Sequence, residues 1–471
     1  MSKIKRTGRV WAIALPLCAL AAAWAFGFIG KSTPVAQAQA DNWTSEAAER
    51  QGVRLLETRD PSGPPAYPVQ AGDLLFFTNV GTSYGGSNPR NAVVVVNAKT
   101  YKPIAVSDVE AAWSERWTSH GSAVSPDGKY VYLPAIAPAN STKPGAILVL
   151  DSRTLKIYQI IQTSGLRPHH VKIFTDWTGK QFVLVEDFNW VNPTRPPTAL
   201  GGFYILDPAD NNRVVTGMTP GHFRGNLYIG FTSPDGRYLY YSLPGAPEFR
   251  LSHEMEGLLV KIDMQTWRPV QHLAMGRYPL WTVFTEDGRW AWVTQSSDSK
   301  VMKIQRATAP GQVDRIVAEV ATGPGPYGLR MSIDNTELWV ADKGETLPGQ
   351  RGTSITVIDH ETNQVKRTMQ TNCITNDHLI LTPDGGEMWA TCNQSHEIVV
   401  LDSKTYEIKT RIPMPIQGDV HGGSFVVYTQ GPNGLISETV SDQNGLHGSA
   451  RAAVRQALGL AANSELAANA Q

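Results

Sequence analysis

The chain has 471 residues and carries 42 Lys plus Arg against 42 Asp plus Glu, enough length for a large core or several ordinary domains. A formal charge of zero gives no electrostatic ground for binding nucleic acid or a polyacid. The 42 Gly, 31 Pro and 13 Trp indicate many tight turns between short strands.

The first 40 residues read as an export segment. Lys3, Lys5, Arg6 and Arg9 precede an apolar run from Val10 to Gly30, and Ala38-Gln-Ala40 offers a small-x-small cleavage site. The run is also long enough to remain as a membrane anchor. Both readings place the remainder outside the cytoplasm, and periplasmic localisation is expected. Leu17 ahead of Cys18 argues against a lipoprotein signal. Residues 41–71 are polar and Pro-rich, and read as a linker with room for one short helix.

From Gly72 a long-period repeat begins. Its clearest unit is a strand, a Ser-Pro-Asp-Gly turn and a second strand, first seen at Ser125-Pro-Asp-Gly128. Ser-Pro starts such a turn, and Asp-Gly closes it with a residue tolerant of positive φ. Copies end at Gly236, Gly288 and Gly385, with a degenerate version at Ile333-Asp-Asn335. A second repeat joins a third strand to a fourth, as in Leu150-Asp-Ser-Arg-Thr154 and Leu401-Asp-Ser-Lys-Thr405. Four short strands per long period predict an all-β protein, a β-propeller over residues 72–430. Inner strands starting near His120, His170, Tyr228, Leu280, Tyr327, His378 and His421 make seven blades. The first outer strands lack an inner strand ahead of them, and the last inner strand lacks outer strands after it. The chain's end therefore closes the first blade, which removes exposed strand edges. Residues 431–471 read as an Ala-rich tail.

Residues just before the inner strands converge at one end of the central channel. His120, His169, His170, His378 and His421 all fall there, in blades that adjoin once the ring is closed. Imidazole is a favoured neutral ligand for copper, zinc or iron, and several together would hold one ion. Counted back from the turn aspartates, His120 matches His169 while His378 matches His170, so the register is uneven. Loops over the same face add Glu186, Arg90 and Arg250. Asp377 and Asp419 stand beside candidate ligands, either as acceptors that orient imidazole or as turn residues. His272 and His360 fall elsewhere and read as structural or solvated. Cys373 and Cys392 lie at the top of one blade, as a disulfide or, alternatively, with a thiolate ligand beside His378.

The Ser-Pro-Asp-Gly repeat resembles that of the seven-bladed YVTN propellers, with relatives among haem d1-binding and nitrous-oxide-reductase propellers. The histidines at strand starts are similar to those of the copper propellers of nitrous oxide reductase and thiocyanate dehydrogenase. That resemblance implies a copper oxidoreductase acting on a small inorganic or sulfur-containing molecule, with electrons passed to a periplasmic carrier. His120, His169 or His170, His378 and His421 would then bind copper, Arg90 or Arg250 an anionic substrate, and Glu186 would move protons. Leu280 and Tyr327 stand where such sites also use His, and a separate two-copper domain is lacking. The alternatives are a non-catalytic binding propeller and a haem d1-related propeller with one axial histidine.

Overall fold

In the computed structural model, the described residues are 52–81, 91–110, 113, 117–118, 121–136, 145–163, 168–187, 202–218, 227–244, 256–307, 312–347 and 349–461. They form seven antiparallel sheets, the blades of a β-propeller. In chain order, blades 2 to 7 start with inner strands Ala123–Val124, Pro168–Thr175, Ile229–Thr232, Pro279–Phe284, Pro326–Met331 and Asn376–Leu381. Blade 1 is closed as expected. Its outer strands Leu74–Gly81, Ala92–Asn97 and Lys102–Val106 take the late strand Asp419–Gly431 as their inner member, with Phe76 opposite Phe425. The match of chain start to chain end leaves no blade open.

The repeated turns do what their sequence requires. Gly128, Gly236, Gly288 and Gly385 all sit at φ between 67 and 72°, a region that costs other L-residues energy. In the degenerate copy Asn335 takes the same place at φ 60°, as its short polar side chain allows. Asp127 Oδ1 accepts from Ser125 Oγ at 2.7 Å and from the Lys129 N–H at 3.2 Å, which pins the turn. Each turn launches a second strand whose aromatic residue is buried. Tyr132, Tyr240, Trp292, Trp339 and Trp389 are all 0% exposed. Removing one such ring from a packed core costs about 3–5 kcal/mol. These rings knit neighbouring blades: Trp292 Nε1 donates to His360 Nδ1 at 3.0 Å, from blade 5 to blade 6. That places His360 among the structural histidines.

Two segments differ from the sequence reading. In the stretch expected to be a linker, the exposed strand Arg54–Thr58 pairs with Ile157–Gln162 and extends blade 2 outward. After Gly431, where only a tail is expected, the chain reverses into Gly434–Asp442, which pairs with the inner side of Asp419–Gly431. It therefore runs along the channel axis, inside every blade. Thr439 Oγ1 donates to Ser125 O at 2.7 Å and Ser441 Oγ to Leu381 O at 2.7 Å. Asp442 Oδ2 accepts from the Ile173 N–H at 2.9 Å, and Asn444 Nδ2 donates to Thr232 Oγ1 at 2.8 Å. The chain then turns back into helix Gly448–Ala457, which packs beneath the Asp-Gly turns through Arg451 to Pro234 O and Arg455 to Glu286 O. The polar and Ser/Thr-rich sequence Ser437-Glu-Thr-Val-Ser-Asp442 gave no apolar alternation to announce this strand. Its neighbours are backbone carbonyls and amides rather than a core, so hydroxyls and carboxylates suit it. Among the described residues, no helix is long and apolar enough to cross a membrane.

Candidate functional site

The channel mouth is built from a repeated irregularity. In five blades the inner strand begins with a β-bulge, two residues facing one on its partner strand. His169 and His170 face Glu186, Leu280 and Trp281 face Thr294, and Tyr327 and Gly328 face Ala341. Asp377 and His378 face Thr391, while Gly422 and Gly423 face Thr78. Bulges re-aim side chains and leave backbone groups unpaired. The facing threonines take up those groups. Thr294 Oγ1 accepts from the Trp281 N–H at 2.9 Å, Thr391 Oγ1 accepts from the His378 N–H at 3.1 Å, and Thr78 Oγ1 donates to Gly422 O at 2.6 Å.

The bulges explain the uneven histidine register. His169 and Asp377 are first bulge residues, His170 and His378 second ones, and His421 immediately precedes its bulge. Three different positions of one motif thus deliver imidazoles to one place. The ring centroids of His170 and His378 are 5.6 Å apart, and those of His378 and His421 6.0 Å. Trp281 and Tyr327 close on His378 at 4.8 and 5.6 Å. His169 packs on Tyr228, whose hydroxyl meets that of Tyr327 at 2.9 Å. Of the residues expected from sequence, His169, His170, His378, His421 and Glu186 come together and are buried. His120, Arg90 and Arg250 lie outside the described residues.

Charge at this neck is arranged in two buried pairs. Lys172 Nζ lies 2.6 Å from Glu186 Oε1, which also accepts from the Gly230 N–H at 2.6 Å, and Glu186 Oε2 faces His170 Nδ1 at 3.4 Å. Burial pushes the Glu186 carboxyl up to about 7 against the pull of Lys172, and burial lowers Lys172 in turn. Across the neck, Lys343 Nζ lies 2.8 Å from Asp377 Oδ1, and His421 Nδ1 lies 2.6 Å from Asp377 Oδ2. Burial would raise Asp377, but His378, Lys343 and His421 hold it well below the usual carboxylate range. His421 is raised despite its burial, by Asp377 and then Asp419. Burial pushes His378 down to about 3 and His169 well below the ordinary range, so both are neutral.

The two neighbouring imidazoles use Nδ1 in opposite ways. His421 donates Nδ1–H to Asp377, the arrangement of a metal-ligating histidine backed by a carboxylate, and its Nε2, 3.8 Å from Asp419 Oδ2, would offer a lone pair once the ring is neutral. His378 Nδ1 instead accepts the Gly422 N–H at 2.6 Å. A neutral His378 must then carry its proton on Nε2, which rules that nitrogen out as a ligand in this geometry. Asp377, His378 and His421 bring ligand atoms within 4.8 Å of one another; of these two imidazoles, His421 is the one whose Nε2 could serve iron or another metal, on loss of its proton.

The disulfide expected between Cys373 and Cys392 is present, with Cα atoms 5.2 Å apart. Cys392 is paired with Asn376, so the bridge clamps the start of the Asp377–His378 bulge. Four participants were not legible as such: Lys172, Lys343, Trp281 and Gln443. The first two are buried charges, Lys172 within an inner strand and Lys343 directly after a second strand, which is a usable signal. Gln443 arrives along the axis, from the segment taken for a tail. Gly121 and Gly422 make room for it, since a Cβ on either would lie 2.2 or 2.3 Å from its carboxamide.

Residues 209–429 match the family Cytochrome D1 heme domain. The chain is 23% identical over 342 residues to dihydro-heme d1 dehydrogenase of Pseudomonas aeruginosa, which covers 70% of this chain and 61% of that protein. The chain thus spans less than two thirds of that relative. Among solved structures, periplasmic gluconolactonase of Pseudomonas aeruginosa aligns at TM-score 0.54 and 17% identity, over 75% of this chain and 99% of that one. Dihydro-heme d1 dehydrogenase in complex with DHE aligns at 0.52 and 18%, over 83% and 82%. Hydrazine synthase of Kuenenia stuttgartiensis aligns at 0.50 and 16%, over 74% and 99%. At these identities the structural likenesses establish the propeller and nothing finer. The copper assignment is overturned: the matched family and the curated relative are both haem d1 proteins.

Proposed function

We propose that this protein is an exported propeller that binds a haem d1-type tetrapyrrole, haem d1 or its dihydro form, at the face bearing the histidines. The observation that carries this reading is the match to the Cytochrome D1 heme domain, which runs through the strand starts at Asp377, His378 and His421. The donor set fits an iron tetrapyrrole at one point. His421, with Nδ1 held by Asp377, is the residue that would hold the iron, through Nε2 of the neutral ring. A bound tetrapyrrole supplies a redox-active iron and a conjugated ring. The chain supplies orientation and charge: Asp377 fixes the His421 ring, Lys343 fixes Asp377, and Glu186 can hold or give up a proton near neutral pH. The neck below is lined by the rings of His170, His378 and Trp281. Export is supported by the basic-then-apolar N-terminus and by the periplasmic location in the name of a structural relative.

The test is reconstitution. Purified protein mixed with one equivalent of haem d1, or of its dihydro form, is passed over a desalting column and its visible spectrum recorded. Retained absorption with an axial-ligand signature that His421→Ala abolishes is expected. Passage of all the pigment free of protein would refute the reading. Cell fractionation, with the protein expected in the periplasmic fraction, checks export.

A further inference from the structure

The tautomer of His378 has a consequence beyond metal binding. With Nδ1 accepting the Gly422 N–H, His378 Nε2 is an N–H donor, and it is 0% exposed. Among the described residues it has no hydrogen-bond acceptor; the Asp377 carboxylate stands 3.7 Å away, beyond bonding reach, and is committed to His421 and Lys343. The ring packed closest against it, Trp281 at 4.8 Å, is in the same condition. Its indole N–H is buried, with the residue 1% exposed, and has no acceptor among the described residues. An indole nitrogen is a donor only. Leaving one such donor buried and unmatched costs about 1–3 kcal/mol. Two in contact, on bulges that exist to aim them, form a built feature.

We infer that His378 and Trp281 form a paired N–H donor site for an acceptor oxygen of a bound small molecule, a carboxylate or a carbonyl. The bulges of blades 5 and 7 supply the geometry, because each re-aims its second residue inward while the facing threonine ties down the backbone. Lys343 is paired with Glu345 and Asp377 and Lys172 with Glu186, so the preference for a charged oxygen comes from the two donors themselves, which bond a carboxylate more strongly than a neutral carbonyl. The inference does not need a tetrapyrrole, and is tested on protein to which none is added.

The experiment is ¹⁵N NMR on the full chain. A long-range ¹H–¹⁵N spectrum reports the His378 tautomer directly, with no substitution, and is expected to show Nε2–H. Sodium formate and formamide are then titrated as carboxylate and carbonyl probes, following the Trp281 indole signal, assigned by its loss in Trp281→Phe. Saturable movement of the Trp281 and His378 signals is expected, with formate binding more tightly than formamide. Trp281→Phe or His378→Phe should weaken formate binding about tenfold, the loss of one hydrogen bond to a charged oxygen. A Nδ1–H tautomer overturns the proposal. So does the absence of any shift with both probes, which would mean that the donors hold only water. Formamide binding as well as formate would keep the donor site and assign it to carbonyl oxygen. If either variant fails to fold, the wild-type tautomer and titration still decide the matter.

Discussion

Replacing Lys172 by Met isolates the charge of Glu186 and has a signed dependence on pH. Both side chains are fully buried and 2.6 Å apart. Glu186 titrates near 4.5 when unfolded and about 7 when folded. A carboxyl raised in this way stabilises the fold at low pH and loses that contribution as pH climbs from the unfolded to the folded value. For the wild type the loss runs at about 1.4 kcal/mol per pH unit, amounts to about 3 kcal/mol, and levels off above pH 7. Without Lys172 no cation opposes burial, the Glu186 pKa rises further, and the loss continues above pH 7 at the same slope of about 1.4 kcal/mol per unit. Below pH 6 Glu186 is mostly protonated in both proteins. There the variant is relieved of a buried ammonium, and Met fills the same space. The two stability curves should therefore cross. The variant should equal or exceed the wild type at pH 5 and fall about 1.4 kcal/mol further behind for each unit above pH 7. Urea unfolding followed by tryptophan fluorescence between pH 5 and 8.5 measures this, and Lys172→Met/Glu186→Gln should abolish the extra slope. Parallel curves with a constant offset would refute the electrostatic account and reduce the pair to packing.

Three further outcomes are expected. Gly422→Ala places a Cβ 2.3 Å from the Gln443 carboxamide and 3.1 Å from His378 Nδ1, at φ 29°; a loss of about 1–3 kcal/mol is expected, partly restored by Gln443→Ala, and simple additivity in a double-mutant cycle would count against the contact. Cys373→Ala/Cys392→Ala opens a loop of 19 residues and should cost about 3 kcal/mol in urea unfolding, with His378 signals moving more than those of His170; equal movement would mean that the bridge does not act on its own bulge. A chain ending at Gly431 loses the bonds from Thr439, Ser441 and Asp442 to three blades and both acceptors of the buried Arg330 guanidinium. At about 1 kcal/mol each these five sum to about 5 kcal/mol, and a truncated chain that kept wild-type stability would show the axial strand to be dispensable.

Most of the architecture was legible because the propeller repeats its local chemistry. A turn that needs positive φ needs Gly or Asn, so the turn residues mark five of the seven blades, down to Asn335 in the weakest copy. Closure followed from counting strands. The axial hairpin was not legible, because it buries hydroxyls and carboxylates against the ring's own backbone and so lacks the period-2 apolar pattern that betrays a strand. The histidine cluster was half legible. That His169, His170, His378 and His421 converge follows from blade order. Their ligand capacity does not, because it depends on which nitrogen each neighbour claims. Gly422 N–H and Asp377 decide that for His378 and His421, and neither decision is visible in spacing.

The bulges also show how chemistry can be separated from scaffold in a repeated fold. Thr78, Thr294 and Thr391 occupy the position opposite the bulge in three blades and each bonds the backbone that the bulge frees. In blade 3 that position is Glu186, which makes no such bond and holds Lys172 and the Gly230 N–H instead. Thr would serve the scaffold there as it does elsewhere, and Glu brings a buried charge that has to be compensated by Lys172. The departure costs the fold stability and gains it a group that titrates near neutrality beside His170. The same reasoning picks out Asp377. It stands where the other bulges place His169, Leu280, Tyr327 and Gly422, and it alone orients a neighbouring blade's histidine. In a ring of near-equivalent units, the residues to test first are those that break the equivalence at an energetic cost: Glu186, Lys172, Asp377 and Lys343.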